Sequence, residues 1–334
     1  MNFQNMKSIE DYQVYLDVAL RKGEIKSKAL RSTIRLRSVS KLIKSKRIEI
    51  DKIKILRDEL CSRLHDIHSN FPSIDSLPEF YRQLIELTLD VDNLKKALAS
   101  ISWAEYNINK ICCEAMRKLK VFNEERDIGF LNKLSGGCIG RVSSILKQVD
   151  KFLKIIEKNR KIMKNYPAIK TTLFTVAIAG FPNVGKSTLL SQVTNSEPEI
   201  NDYPFTTRKL NTGYFKHHAE KIQLIDTPGT LARFNKMNDI EKQADIAMKY
   251  AANMTIYVFD LTEQYPIKDQ FNLLDRIIEL EKPIIIYLSK KDILDKKQVA
   301  DFIKDFQKKY KYQMCENGEE LIKQITQIKR HIND

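Results

Sequence analysis

Cysteine is scarce in this 334-residue sequence: there are five, an odd number, with Cys112 and Cys113 adjacent and no C-x-x-C spacing. That pattern suits neither a disulfide framework nor a zinc ribbon. A reducing, intracellular compartment is the simplest expectation. Long apolar runs are missing too. No stretch approaches the ~20 uninterrupted apolar residues of a membrane span. The opening "MNFQNMKSIEDYQ" has no apolar h-region, so no signal peptide is expected, and the protein is expected in the cytoplasm. Glycine is thin in one part of the chain. Only five of the ten glycines (Gly23, Gly129, Gly136, Gly137 and Gly140) precede Gly180. Aromatic residues are absent from residues 21–57, the most basic segment of all. Base stacking is therefore not expected of that segment, and neither are the ring anchors of an interfacial membrane helix.

What is present divides in two. The length suggests about two domains, and 43% hydrophobic residues are enough for two buried cores. Residues 1–170 hold 34 Lys+Arg and 21 Asp+Glu, a net of +13; residues 171–334 hold 23 and 22, a net of +1. A polyanionic partner is expected for the first part and a different task for the second. In the first, glycine-free stretches carry helical periodicity. Phe80, Leu84, Leu87, Val91, Leu94 and Leu98 alternate steps of four and three, the spacing of one buried helical seam. Val142, Ile145, Val149, Phe152 and Ile156 repeat it. "NFPSIDSLPEF" (70–80) and "LSGGCIG" (134–140) are expected as breaks. Residues 1–168 are thus expected to be an all-α helical bundle. After "KNYPAIKT" the period changes. "TLFTVAIAG", "KIQLID", "MTIYVFD" and "PIIIYLS" are short, nearly continuous apolar runs, most of them alternating with helical stretches. That pattern predicts an α/β domain over 169–334 with a mostly parallel, Rossmann-like sheet.

"GFPNVGKS" (180–187) follows the first of these strands and opens a helix, the required context for G-x-x-x-x-G-K-S. Gly180 and Gly185 allow a tight turn about a phosphate. The main chain of Phe181, Pro182, Asn183, Val184 and Thr188 completes the cradle with the helix N-terminus. Lys186 is expected to reach the β- and γ-phosphates and Ser187 to ligate Mg2+. "DTPG" (226–229) ends another strand, so Asp226 is expected on the metal side and the Gly229 N–H at the γ-phosphate. Thr207, in "NDYPFTT", is placed to complete the Mg2+ shell when the γ-phosphate is present. "SKKD" (289–292) occupies the place of a guanine-reading tetrad. Guanine offers N1–H and N2–H donors on one edge, and the single carboxylate of Asp292 accepts both. Lys290 can lie along the base. Ser289 stands where Asn or Thr is usual; it keeps a donor and an acceptor, so guanine preference is expected to survive with weaker affinity. "MCENGEEL", after strand-like "KYKYQ", places the Cys315 main chain near guanine O6.

"GFPNVGKSTLL", "PEINDYPFTT", "DTPG" and "MNDIEKQA" together resemble the Obg-like branch of translation-factor-related GTPases. "FYRQLIELTLDVDNLKKALASISWA" and "GRVSSILKQVDKFLKIIEKNRKIM" resemble the N-terminal domain of the nucleolar GTP-binding protein 1 (Nog) family, in its shorter archaeal form. The resemblance covers nearly all of residues 70–334. It implies assembly of the large ribosomal subunit, with the protein touching rRNA. Two positions depart from the wider GTPase pattern. Thr230 stands where Ras-like proteins carry a water-orienting glutamine, so intrinsic hydrolysis is expected to be slow. Asn183 matches the asparagine that helps hold K+ in similar GTPases, which makes K+ a candidate cofactor beside GTP/GDP and Mg2+.

Residues 21–57 hold 14 Lys+Arg against Glu24, Glu49 and Asp51, a net of +11. Arg31, Arg35, Arg37, Lys41, Lys44, Lys46 and Arg47 are the expected RNA-phosphate contacts. Cys61, His65 and His68 share a helix face but have no identifiable fourth ligand, and no metal is assigned to them. The combined expectation is a GTP hydrolase that times its stay on the large ribosomal subunit. It would be a monomer away from the ribosome, with no DNA or membrane partner. A nucleotide-gated RNA clamp with negligible hydrolysis, and a GTPase at an anionic membrane surface, are the alternatives.

Overall fold

The computed structural model describes residues 3–34, 41–121, 128–194, 199–202, 209–217, 220–227, 239–262 and 264–333. The chain divides into two compact units. One is Asn5–Ser76 with Thr88–Lys164; the other is Asn165–Asp334 with Leu77–Leu87 and Met1–Gln4. The N-terminal helices are α1 (Tyr12–Ile34), α2 (Lys41–Asn70), α3 (Glu79–Thr88), α4 (Val91–Lys120) and α5 (Ile128–Lys164). In the first unit α2 packs against α1, α4 and α5, and α4 packs against α5. The α4 seam is Leu94, Ala97, Ile101, Ala104, Ile108, Cys112, Ala115 and Leu119, all buried. Its steps of three and four put one residue per turn on the core side, and three alanines let the helices approach closely. The facing seam of α5 includes Val142, Leu146, Val149, Leu153 and Ile156. The free thiols of Cys112 and Cys138 meet there, their sulfurs 4.0 Å apart.

Two expectations about this region need correction. The seam expected to run from Phe80 to Leu98 belongs to two helices. The first ends at Thr88 and Asp90 begins the second: its side chain accepts the Asn93 N–H at 3.0 Å and caps α4, satisfying a donor that no helical carbonyl can reach. Phe80 and Leu84 are buried in α3 and Leu94 in α4, while Leu87, Val91 and Leu98 are only half-buried. Second, "LSGGCIG" is no break. Residues 134–140 lie inside α5. A side chain added at Gly136, Gly137 or Gly140 would meet nothing within 4 Å. The glycines therefore weaken the helix without packing, at about 1 kcal/mol each. Burial of Leu131, Ser135, Cys138 and Val142 on the opposite face carries the helix through. The same face corrects the α5 seam: Leu146 and Leu153 are buried where Ile145 and Phe152 were expected.

The second unit is the expected α/β fold. Strands β1 (Thr175–Ala179), β2 (Glu199–Asp202), β3 (Lys209–His217), β4 (Glu220–Asp226), β5 (Met254–Asp260), β6 (Ile284–Ser289) and β7 (Gln313–Cys315) form one sheet. Its order is β2-β3-β4-β1-β5-β6-β7. β1 pairs parallel with β4 and β5, and β5–β6–β7 continue parallel, while β2–β3–β4 are antiparallel. Helices α6 (Lys186–Val193), α7 (Asp239–Ile246), α8 (Ile267–Ile278), α9 (Lys296–Lys309) and α10 (Gly318–Asn333) complete the unit. β1, β5 and β6 are buried along their whole length, which is why they read as continuous apolar runs rather than alternating ones. β2 and β3 were not anticipated. Their polar residues resemble a loop, and only the ladders β2–β3 and β3–β4 make them strands. β7 also begins later than "KYKYQ", at Gln313, and takes in Met314 and Cys315.

α3 belongs with this unit. The Tyr81 hydroxyl lies between the carbonyl oxygens of Pro167 (3.0 Å) and Ile169 (2.9 Å) and accepts the Ile169 N–H at 3.0 Å. The next residue, Lys170, donates its N–H to the buried Gln223 side chain on β4 at 3.0 Å. The segment entering β1 is thereby fixed to the strand that ends in Asp226.

Candidate nucleotide site

The sheet order sets the site. In open α/β sheets ligands lie outside the carboxyl ends of the strands. Here the ends of β1, β4, β5, β6 and β7 carry Gly180, Asp226, Asp260, Ser289 and Cys315. Gly180 has φ +150°, and a Cβ there would come within 2.8 Å of the Val258 carbonyl oxygen. No side chain fits. Gly185, at φ +95°, opens α6, and Asn183 holds φ +60° between them. Phe181 and Val184 are buried, Phe181 against the Tyr265 ring with centroids 4.8 Å apart. Pro182 is half-buried and Thr188 exposed on the first turn of α6. The loop is anchored by its apolar residues, and its turning points are residues suited to positive φ. The Lys186 ammonium, buried, donates to the Phe181 carbonyl at 2.7 Å. It is held across the loop it closes.

Ser187 and Asp226 meet directly. The Ser187 hydroxyl donates to Asp226 Oδ2 at 2.5 Å, and Asn211 Nδ2 approaches the same oxygen at 3.4 Å. The parallel register Ile178↔Asp226 and the antiparallel register Asn211↔Asp226 bring them to one level. Burial pushes the Asp226 carboxyl above the usual carboxylate range, while Ser187 and the Lys186 charge pull the other way. Its second oxygen, Oδ1, is buried with no hydrogen-bond partner among the described residues. A desolvated carboxylate with one free oxygen beside a serine hydroxyl is the donor set a hard divalent cation takes. Thr207, Gly229 and Thr230 lie outside the described residues.

At the end of β6, Ser289 is buried and its hydroxyl donates to the Phe259 carbonyl on β5 at 2.9 Å. It also lies under the phosphate loop, where a Cβ on Gly185 would stand 3.5 Å from Ser289 Cβ. Lys290, at φ +53°, places its ammonium 2.6 Å from Asp260 Oδ2. Asp260 Oδ1 accepts the N–H and hydroxyl of Thr262 at 2.9 and 2.7 Å. Burial pushes this carboxyl up, but the bonds from Lys290 and Thr262 outweigh it and hold it below the usual range. The Gln270 side chain fixes the Asp260 backbone, accepting its N–H at 3.0 Å and donating to its carbonyl at 2.7 Å. Asp292 is exposed in the short 3-10 turn Lys291–Ile293. The Cys315 side chain is fully buried, its thiol pushed up to about 12 by burial; only its main chain can face a ligand. Asp260, Gln270 and Asn211 were missed in the sequence. An acid closing the otherwise apolar run "MTIYVFD" was a usable signal for Asp260. Asn211 gave none, because β3 was not recognised.

The basic segment falls on α1 and α2. Arg31 and Arg47 are exposed and Lys44 is half-buried. The Lys46 ammonium donates to the Lys120 carbonyl at 2.6 Å, at the C-terminal end of α4. Arg35, Arg37 and the side chain of Lys41 are outside the described residues. On α2, Cys61 approaches the Glu105 carbonyl at 3.7 Å and His65 the Glu105 carboxylate at 3.5 Å. No group of three His, Cys, Asp or Glu side chains among the described residues is arranged to hold a metal. No helix among them is long and apolar enough to cross a membrane.

Residues 3–170 match the family described as the NOG1 N-terminal helical domain. The chain belongs to the nucleolar GTP-binding protein 1 family. Residues 175–290 match a second family, described as 50S ribosome-binding GTPase. Uncharacterized protein MJ1408 of Methanocaldococcus jannaschii is 35% identical over 89% of this chain and 83% of its own length. Nucleolar GTP-binding protein 1 of Encephalitozoon cuniculi is 31% identical over 84% of this chain and 54% of its own. The Saccharomyces cerevisiae protein of that name is 27% identical over 88% and 45%. The chain thus spans about half the length of these nucleolar GTP-binding proteins. Among solved structures, the G domain of the Thermotoga maritima FeoB iron transporter is 26% identical over 46% of this chain and 98% of its own, with a TM-score of 0.37. Era in complex with MgGDPNP and nucleotides of 16S ribosomal RNA is 29% identical over 46% and 55%, also at 0.37. As a member of the nucleolar GTP-binding protein 1 family, the chain carries a P-loop GTPase domain behind a helical one.

Proposed function

We propose that this chain binds GTP with Mg2+, hydrolyses it slowly, and uses the nucleotide state to time its stay on the large ribosomal subunit. Residues 169–334 would do the chemistry and the basic helices of residues 1–168 would hold rRNA. The observation that carries the proposal is the Ser187–Asp226 pair at the foot of the phosphate loop, with Asp226 Oδ1 buried and unpartnered. Ser187 and Asp226, with Thr207, would hold Mg2+, which when bound neutralises charge on the β- and γ-phosphate oxygens.

The chain's own part is positioning. The loop N–H groups of 180–188 and the α6 N-terminus receive the phosphates. Lys186 exchanges the neutral Phe181 carbonyl for a phosphate oxygen, a stronger, charge-assisted bond. It then stabilises the charge that develops as water attacks the γ-phosphorus in line. The Gly229 N–H would meet the same phosphoryl group. With Thr230 in place of glutamine, the attacking water lacks an orienting side chain until a partner supplies one. K+ beside Asn183 would add positive charge, and turnover faster in K+ than in Na+ buffer is the expected sign. Asp292 and the Cys315 main chain would read guanine. Two family descriptions support the ribosomal setting, one as a 50S ribosome-binding GTPase, the other through the NOG1 helical domain.

Co-sedimentation with purified ribosomal subunits tests the whole reading, using GDP and a non-hydrolysable GTP analogue across a salt series. Binding to the large subunit that depends on the nucleotide and falls steeply with salt is expected. Equal binding in both nucleotide states, or a flat salt response, would remove it.

A further inference from the structure

The helical unit carries a surface of rings that its core leaves out. Trp103, the one tryptophan of the chain, is 45% exposed on α4, and Tyr106 is 66% exposed one turn on. Trp103, Ala99 and Ser100 from α4 and Gln148, Val149 and Phe152 from α5 line a groove of about 330 Å3. A single exposed apolar residue needs no explanation. Two large exposed rings beside a third at the wall of a groove form a patch.

Charge beside the groove is mostly basic, with the exposed Asp92 one turn before Lys96 on α4. The Lys151 ammonium stands 4.9 Å from the centre of the Phe152 ring, and Lys96, Lys147 and Lys151 are exposed. The acids on the same stretches of α4 and α5 point to other partners. The Glu105 carboxylate lies 3.5 Å from His65 on α2. Asp150 binds Lys154 at 2.7 Å and accepts the Tyr12 N–H at 3.1 Å. Glu157 holds Arg160 at 2.7 Å and accepts the Ile9 N–H at 3.0 Å. Rings, a groove and Lys147 and Lys151 beside it on α5 suit a planar π-face attached to an anion. An unpaired nucleotide is such a group: its base stacks on the rings and its phosphate meets the lysines. A duplex offers no free base face, and an apolar protein surface would gain nothing from the lysines.

We propose that the α4–α5 groove around Trp103 and Phe152 is a stacking site for an unpaired nucleotide of single-stranded RNA. It rests on the reading that this unit meets rRNA. It supplies what the ring-free basic segment 21–57 cannot, a contact to a base rather than to phosphate.

Because Trp103 is the sole tryptophan, its emission reports on the groove alone. The full chain is titrated with a single-stranded RNA octamer, with the duplex it forms with its complement, and with inorganic polyphosphate. The single strand is expected to quench Trp103 emission saturably, while the duplex and polyphosphate bind without quenching. Trp103→Ala is expected to weaken single-strand binding about tenfold, the scale of one lost stacked base, with polyphosphate binding unchanged. Trp103→Phe should recover most of the loss. Single-strand binding with unaltered Trp103 emission and no loss in Trp103→Ala would overturn the stacking site while leaving the phosphate reading intact. Quenching by the octamer without any polyphosphate binding would support the groove and sink the phosphate reading. Quenching by an apolar helical peptide and not by RNA would assign the groove to a protein and overturn the proposal.

Discussion

Asp292→Asn is the sharpest test of the nucleotide reading. The carboxylate is exposed, and no hydrogen bond reaches it among the described residues. The change therefore removes no internal contact, and stability should move by no more than about 0.5 kcal/mol. Its effect falls on the ligand. Guanine gives the carboxylate two N–H bonds, and a bond to a charged group contributes about 1.5–3 kcal/mol. Water competes at an exposed site, so the lower value applies to each. The loss is then about 3 kcal/mol, or roughly a hundredfold in affinity for GTP. Asparagine also turns an amino group toward the guanine N2 amino group, donor against donor. Xanthine keeps N1–H but carries an oxygen at C2, and the amide of asparagine matches both. Calorimetry should show the variant losing GTP and gaining xanthosine triphosphate, with the thermal midpoint unchanged. A variant that binds GTP as the parent does, or loses GTP with no gain of the xanthine nucleotide, would refute the assignment of Asp292.

Three further outcomes are expected. Gly137→Ala, on the exposed face of α5 with nothing within 4 Å of the new methyl, should stabilise the helical unit by about 0.5–1 kcal/mol in urea titration. Lys282→Met should cost about 1–3 kcal/mol by the same measurement. Its ammonium donates to the carbonyls of Met248 (2.8 Å), Lys249 (2.7 Å) and Ala252 at the end of the π-helical turn Ala247–Ala251, and methionine would leave them unpaired. Asp260 should contribute an acid-side stability slope. Its carboxyl is held below its ordinary 3.8 in the folded protein, so its stabilisation is complete above the unfolded value and is lost as pH falls below about 4. Asp260→Asn should flatten that part of the stability–pH curve.

The fold was legible where burial repeats along the chain. β1, β5 and β6 are covered on both faces, and Val142, Val149 and Ile156 recur along the buried side of α5, so these declared themselves. Three things were hidden, each for a physical reason. β2 is held by its ladder to β3 and β3 by its ladder to β4, rather than by apolar patterning, so no local signal distinguishes them from loop. The three glycines of 136–140 indicated a break, yet a buried seam on the far side of α5 outweighs the roughly 3 kcal/mol they cost. The pattern from Phe80 to Leu98 was periodic, but periodicity cannot see that Asp90 spends its carboxylate on a cap. The phosphate loop was easier, since strand, glycines and lysine stand in one contiguous stretch. Asp260 and Asn211 reach the site from strands remote in sequence, and only the register delivers them.

The serine in the guanine tetrad now has a physical account. Its hydroxyl proton goes to the Phe259 carbonyl, so Ser289 joins the end of β6 to β5. Lys290 is committed as well, its ammonium paired with buried Asp260 and that carboxylate fixed by Thr262. The first two members of the tetrad are thus tied into the protein, and their side chains serve to place the turn that follows. Asparagine at 289 would be longer by an amide group, and in this buried position it would have to give up the hydroxyl's bond to the Phe259 carbonyl and find room and partners for the amide. Ser289→Asn should therefore loosen nucleotide binding in this chain rather than restore it. On the proposed function, guanine would be read by Asp292, the tetrad member whose carboxylate has no hydrogen bond among the described residues. A gain of GTP affinity in Ser289→Asn would show that the hydroxyl was a weak substitute for a base contact and not the support this geometry makes it.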